Sequence, residues 1–188
     1  MDDDPLRRIR ERREANARAL AKFGAAVPRA GSAALERVVR GGSGPTLHTI
    51  GYEKRSPDDL LAALRERAVR VLVDVRDDPM SRRAAYRPDA LRELVGPAGI
   101  VYEARRDLGA PKASRDELHA TADLGAYLAR FREHALRDLL PALDRLAARV
   151  AAGGAALLCY ERRPEECHRS VLADLVAERL DATVIAIL

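Results

Sequence analysis

The chain has 188 residues, 47% of them apolar, with two cysteines and a formal net charge of +4. That length suits one domain with an appendage, and two cysteines exclude a disulfide framework. No apolar run is long enough to cross a bilayer and no stretch reads as a signal peptide, so a cytoplasmic protein with reduced thiols and no membrane partner is expected.

The charge is unevenly placed. Residues 1–45 hold ten Arg/Lys and six Asp/Glu, whereas residues 46–188 hold 23 of each. The basic pI therefore reports the N-terminal segment and not a nucleic-acid-binding fold. Residues 1–23 are charged and helix-prone, with Asp2, Asp3 and Asp4 placed to favour a helix start. A second short helix is expected over Ser32–Arg40. Gly41-Gly-Ser-Gly-Pro45 then reads as a linker. The expected division is a helical basic extension over 1–45 and an α/β domain over 46–188. The extension is either a solvated helix or a basic arm for nucleic acid or a partner.

From Thr46 the pattern alternates. Thr46 to Ile50 reads as a strand. Ser56-Pro57-Asp58-Asp59 is a helix start, with Ser as N-cap and Pro at the first helical position. Val69 to Val75 is nearly continuous and β-branched, the mark of a strand covered on both faces. A polar loop over 77–88 follows, then a helix over Pro88–Val95, a strand over Ile100–Glu103 and a second loop over 104–115. Helical sequence fills most of 116–151, with Pro141 in the first turn of its second half. Ala155–Cys159 reads as a strand, the residues after His168 as a helix, and Thr183–Ile187 as a last strand. The order implies a three-layer α/β sandwich with a mostly parallel sheet of about five strands. In such sheets, sites form beyond the strand C-termini.

Three groups of residues there can carry chemistry. Asp74 and Arg76 end the best strand and share a face. They read either as a buried ion pair or as an anion grip with an adjacent base. Ser81, Arg82, Arg83, Tyr86 and Arg87 make a charged loop suited to holding phosphate or carboxylate. Tyr52 follows the first strand at the same sheet edge.

The third group is the turn Cys159-Tyr-Glu-Arg-Arg-Pro-Glu-Glu-Cys-His-Arg-Ser170. Its helix begins either at Pro164 or at His168. Either way Cys167 lies near a helix N-terminus, where a thiolate is stabilised. Three chemistries fit. Cys167 or Cys159 attacks as a nucleophile while His168, Glu161 or Asp74 moves protons. Cys159, Cys167, His168 and Glu161 ligate a metal or haem. Arg169 and the helix start bind an anion. The Cys-x7-Cys-His spacing matches no structural zinc pattern, so no metal ligand is assigned and the cofactor stays open. The bland alternative is that both cysteines are core.

Thr49-Ile-Gly-Tyr-Glu53, Leu72-Val-Asp-Val-Arg76, Pro79-x-Ser-Arg82, Leu108-Gly109 and Cys159-x-Glu-x2-Pro-x2-Cys-His-Arg-Ser170 occur in that order. The ordered set resembles the family called domain of unknown function 488, over roughly residues 47–187. The resemblance implies an α/β domain in which Asp74, Arg76, Arg82, Glu161, Cys167, His168 and Arg169 match motif positions and form one site. It names no reaction. A more distant resemblance is to rhodanese-like domains, which also have an Asp-x-Arg strand and a cysteine-bearing turn ending in Arg-Ser. Here that turn is longer and holds a second cysteine.

The leading expectation is an enzyme that acts on an anionic small molecule or nucleic acid. Cys167 or Cys159 is its reactive thiol, Arg76, Arg82, Arg169 and Tyr52 bind substrate, and Asp74, Glu161 and His168 move protons. The alternatives are a nucleic-acid-binding or regulatory module using the basic arm, and a metal or haem protein.

Overall fold

The computed structural model describes residues 36–188. The helix expected over 1–23 lies outside the described residues, as does the role given to that arm. Strands β1 (Glu36–Arg40), β2 (Thr46–Gly51), β3 (Val71–Asp74), β4 (Val101–Ala104), β5 (Ala155–Cys159) and β6 (Thr183–Ile187) form one six-stranded sheet. Its order is β1-β6-β2-β5-β3-β4, and every pairing is parallel except β1 with β6. Helices α1 (Pro57–Glu66), α2 (Pro88–Val95), α3 (Lys112–Thr121), α4 (Leu124–Asp138), α5 (Leu140–Ala151) and α6 (His168–Leu180) cover it. The expected α/β class and mostly parallel sheet hold.

Residues 36–40 are a strand and not part of a helix, which gives a sixth strand. The reason is tertiary. Gly42 and Ser43 turn the chain back by bonding Thr183 and Asp181. The Val38-Val39 pair then adds to the open edge of β6. Arg67–Glu36, Arg37–Glu165 and Arg40–Glu178 ion pairs hold it there.

Two apolar layers sandwich the sheet. Leu60 and Leu64 of α1 and Leu91 and Val95 of α2 pack with Ile50, Leu72 and Leu158 on one face. Tyr127, Phe131 and Ala135 of α4, Leu143 and Leu146 of α5, and Leu172 and Val176 of α6 pack with Val73, Leu157 and Val184 on the other. α1 follows the predicted signals: Ser56 Oγ accepts from Asp59 N at 3.1 Å, and Pro57 takes the first turn. Pro141 likewise sits in the first turn of α5.

The topology selects one position for a site. After β2 and β3 the chain crosses to the α1/α2 face. After β5, which lies between them, it crosses to the α4/α5/α6 face. The C-terminal end of β5 is therefore a switch point, where an open α/β sheet leaves room between diverging loops. Two glycines bring those loops close. A Cβ on Gly51 would overlap the Glu161 carbonyl, and one on Gly109 would overlap the Asp77 backbone. This gives Gly51 and Gly109 a physical role in their motifs.

Gly109→Ala forces the 104–115 loop off Asp77. We expect a loss of about 1–3 kcal/mol from overpacking, read as a lower denaturant midpoint with unchanged m.

Candidate functional site at the end of the central strand

β5 ends at Cys159. A single 3-10 turn spans Pro164–Glu166, and Cys167 then stands in extended geometry (φ −139, ψ 141) as the N-cap of α6. Of the two helix starts the sequence allows, the structure takes His168. Cys167 fills a position usually given to Ser, Thr, Asn or Asp. Its sulfur accepts from the Arg169 N–H at 3.5 Å. Cys159, Cys167 and His168 are 5%, 1% and 6% exposed, so the turn folds them into the core.

One ligand-type atom from each of these three residues lies within 4.8 Å of the others. Cys167 Sγ is 3.8 Å from His168 Nδ1, and His168 Nε2 is 2.9 Å from the Val75 carbonyl. A carbonyl only accepts, so Nε2 carries a proton and Nδ1 is the nitrogen turned to sulfur. The Phe131 ring meets the imidazole edge-on, with centroids 5.0 Å apart.

Arg169 is fully buried. It donates to the Glu161 carbonyl at 2.6 Å and the Arg162 carbonyl at 3.1 Å, and its Nε has no partner. These are neutral acceptors. Among the described residues, no carboxylate forms an ion pair with it. Glu161 contributes a second orphan, since its Oε2 is buried without a hydrogen bond.

The electrostatics follow from this arrangement. Burial alone would push the Cys167 thiol up. The Cys159 hydrogen bond, the Arg169 guanidinium and His168 outweigh it and hold Cys167 well below an ordinary thiol. Cys159 moves the other way, because its hydrogen bond to Cys167 and its burial both favour the thiol form. Burial would lower His168, but the neighbouring Cys167 raises it instead. Burial, with Cys167 alongside, pushes the Glu161 carboxyl up to about 8. These directions favour negative charge on Cys167 over Cys159, positive charge on His168, and a protonated Glu161 at neutral pH.

The structure separates the other expected members from this group. Asp74 lies beside Leu158 in register, on the α1/α2 face, whereas Cys159 and Val75 belong to the opposite face. The Asp74 carboxylate is taken up by Arg76 Nε at 2.8 Å, by Arg76 Nη2 and by Tyr102 OH at 2.6 Å. Arg76 also donates to Tyr52 OH at 2.9 Å and to the Tyr86 carbonyl at 3.0 Å. Tyr52 is 3% exposed and stacks on Tyr86 with centroids 4.3 Å apart. The geometry of Asp74, Arg76 and Tyr52 is thus that of a buried brace for the 77–88 loop. It stands on the opposite face of the sheet from the cysteines. The reason is strand alternation: a common edge does not make a common face. Arg82 is exposed on the loop, while Arg83 caps the Tyr86 ring at 4.4 Å and donates to the Tyr52 and Arg55 carbonyls.

Sequence reasoning missed Tyr127. Burial, and then the nearby Cys167, Glu161 and Cys159, raise its phenol, which places it against the cluster. Tyr127, Phe131 and Ala135 recur every four residues and are all buried, so this stripe was a readable signal of the α4 face that covers the site.

Two outcomes follow. Arg76→Ala strands a buried carboxylate and costs about 3–5 kcal/mol in denaturant unfolding, yet leaves the alkylation rate of Cys167 in native buffer unchanged. Glu161 has a folded-state pKa above its usual 4.5, so it favours folding at low pH, and that contribution is lost as pH rises through about 8. Glu161→Gln should therefore flatten a fall in stability between pH 4.5 and 8, measured by denaturant titration at each pH.

A family model described as "Domain of unknown function DUF488" matches residues 56–176, more than half of the chain. The match takes in Asp74, Arg76 and the whole Cys159–Ser170 turn, and begins just after the Thr49–Glu53 motif. No curated protein and no solved structure matches the chain. On the family match and the motifs it contains, this chain belongs to the DUF488 family.

Proposed function

We propose that the chain is an enzyme that uses the Cys167 thiolate on an anionic substrate. One observation carries this reading. The Arg169 guanidinium is fully buried among neutral carbonyls, and Cys167 Sγ, which accepts from the Arg169 backbone N–H, is a neighbouring group whose ionisation that guanidinium favours. A buried cation needs such a partner. The α6 N-terminus and the His168 ring favour the same ionisation.

The roles divide among few groups. Cys167 sulfur forms a bond to an electrophilic centre of the substrate. His168, held by the Val75 carbonyl, keeps Nδ1 toward the sulfur. Glu161, with its carboxyl near 8, holds a proton at neutral pH that it passes to the leaving group. Cys159 steadies the thiolate by donating its S–H. The exposed Arg82, Arg162 and Arg163 lie on loops beyond the strand C-termini and favour an anionic substrate. Asp74 and Arg76 have no part in this reading.

Alkylation of the reduced protein by iodoacetamide as a function of pH tests it. Cys167 should react with a midpoint well below the ordinary thiol range of about 8.5. Arg169→Met should move that midpoint up, and Cys167→Ser should remove the fast phase. Two thiols that titrate as ordinary cysteines would defeat the reading.

A further inference from the structure

We infer that Cys159, Cys167 and His168 together form a site for one soft divalent cation of the zinc class, and that the bound ion masks the thiolate in a resting form. The second clause rests on the thiolate reading above; the first does not. Spacing along the chain hides this site, because Cys-x7-Cys-His matches no zinc signature. The fold creates it, by setting a strand-end cysteine against an N-cap cysteine and the first residue of the helix.

The geometry has the right scale. A zinc ion takes thiolate sulfur at about 2.3 Å and imidazole nitrogen at about 2.0–2.1 Å, so tetrahedral ligands sit roughly 3.5–3.8 Å apart. Cys167 Sγ and His168 Nδ1 are 3.8 Å apart, and all three ligand atoms lie within 4.8 Å of one another. Small rotations of the cysteine side chains would close the rest. The supporting contacts are already in place. A metal-bound histidine commonly donates its other N–H to a carbonyl, which fixes ring and tautomer. His168 Nε2 meets the Val75 carbonyl at 2.9 Å. A backbone N–H from Arg169 supports the Cys167 sulfur.

An independent observation points to the same occupant. Glu161 Oε2 is buried with no hydrogen-bond partner, and its carboxyl lies beside Cys167. It falls outside the group of atoms within 4.8 Å, so three protein ligands surround the ion and Glu161 stands at its flank. Two thiolates neutralise a dication. Binding releases the Cys159 thiol proton, and the Nδ1 proton of the charged His168 ring, to solvent and leaves neither sulfur free to attack.

The test uses the full chain, reduced and stripped with chelator. Added cobalt(II) should give a thiolate-to-metal charge-transfer band that saturates at one ion per chain, and zinc(II) should displace it. Zinc should slow alkylation of Cys167 by at least about tenfold, reversed by EDTA, and His168→Gln should weaken the ion by a similar factor. Glu161→Gln should retain the band. No band, together with alkylation indifferent to zinc, overturns the site. A band in a protein whose metal-free thiols react as ordinary cysteines keeps the ion site and removes the masking role. Fast alkylation without any band removes the ion site and leaves the thiolate reading standing. Because band and protection are read on the wild-type chain, a variant that misfolds does not blunt the test.

Discussion

A positive charge sits in the core with no carboxylate ion-paired to it among the described residues. Arg169 is fully buried, and its bonds go to the Glu161 and Arg162 carbonyls. Those two bonds hold the turn after β5 in place, and the turn packs against the end of β2 because Gly51 leaves room for it. The same turn delivers Cys167 to the head of α6 and His168 to the Val75 carbonyl. One guanidinium thus organises the turn mechanically and sets its electrostatics. Remove its charge and the turn loses its two anchoring bonds, and the ionisation of Cys167 loses one of its causes, beside the Cys159 hydrogen bond and His168.

Arg76 makes the contrast. It is also buried, but it has its own carboxylate in Asp74, further acceptors in Tyr52 and Tyr86, and the face of the Tyr52 ring at 5.1 Å. Tyr102 completes the Asp74 shell. That network is satisfied and therefore rigid, which suits a brace. At the cysteine turn, Glu161 Oε2 and Arg169 Nε are left unsatisfied. Buried groups that lack partners mark places where something else belongs or where reactivity is stored. The sheet separates the two arrangements, one on each face.

Much of the fold was legible because its signals are local. Ser56-Pro57 and Pro88 start α1 and α2 where they stand, and the apolar run at 155–159 is the central strand. β1 was not legible, since its pairing partner lies at the far end of the chain and its own residues suit a helix. The Cys159–Ser170 turn was recognisable from residue types alone. Its finer geometry turned on whether α6 begins at Pro164 or His168, which local pattern leaves undecided. The sequence alone does not show on which face of the sheet Asp74 lies. Only the β3–β5 register shows that Asp74 faces with Leu158 and away from Cys159. Tyr127 lies in sequence whose period gives a helix but not what its buried face covers.

The most direct measurement is the ultraviolet thiolate absorbance of the reduced, metal-free protein across pH, with that of Cys167→Ser subtracted. A buried guanidinium balanced by Cys167 predicts that the difference persists at pH values well below the ordinary thiol range, and that it falls only as the fold itself gives way. A difference that vanishes at the pH where free cysteine protonates would mean that Arg169 is balanced by something other than Cys167, and would contradict the account.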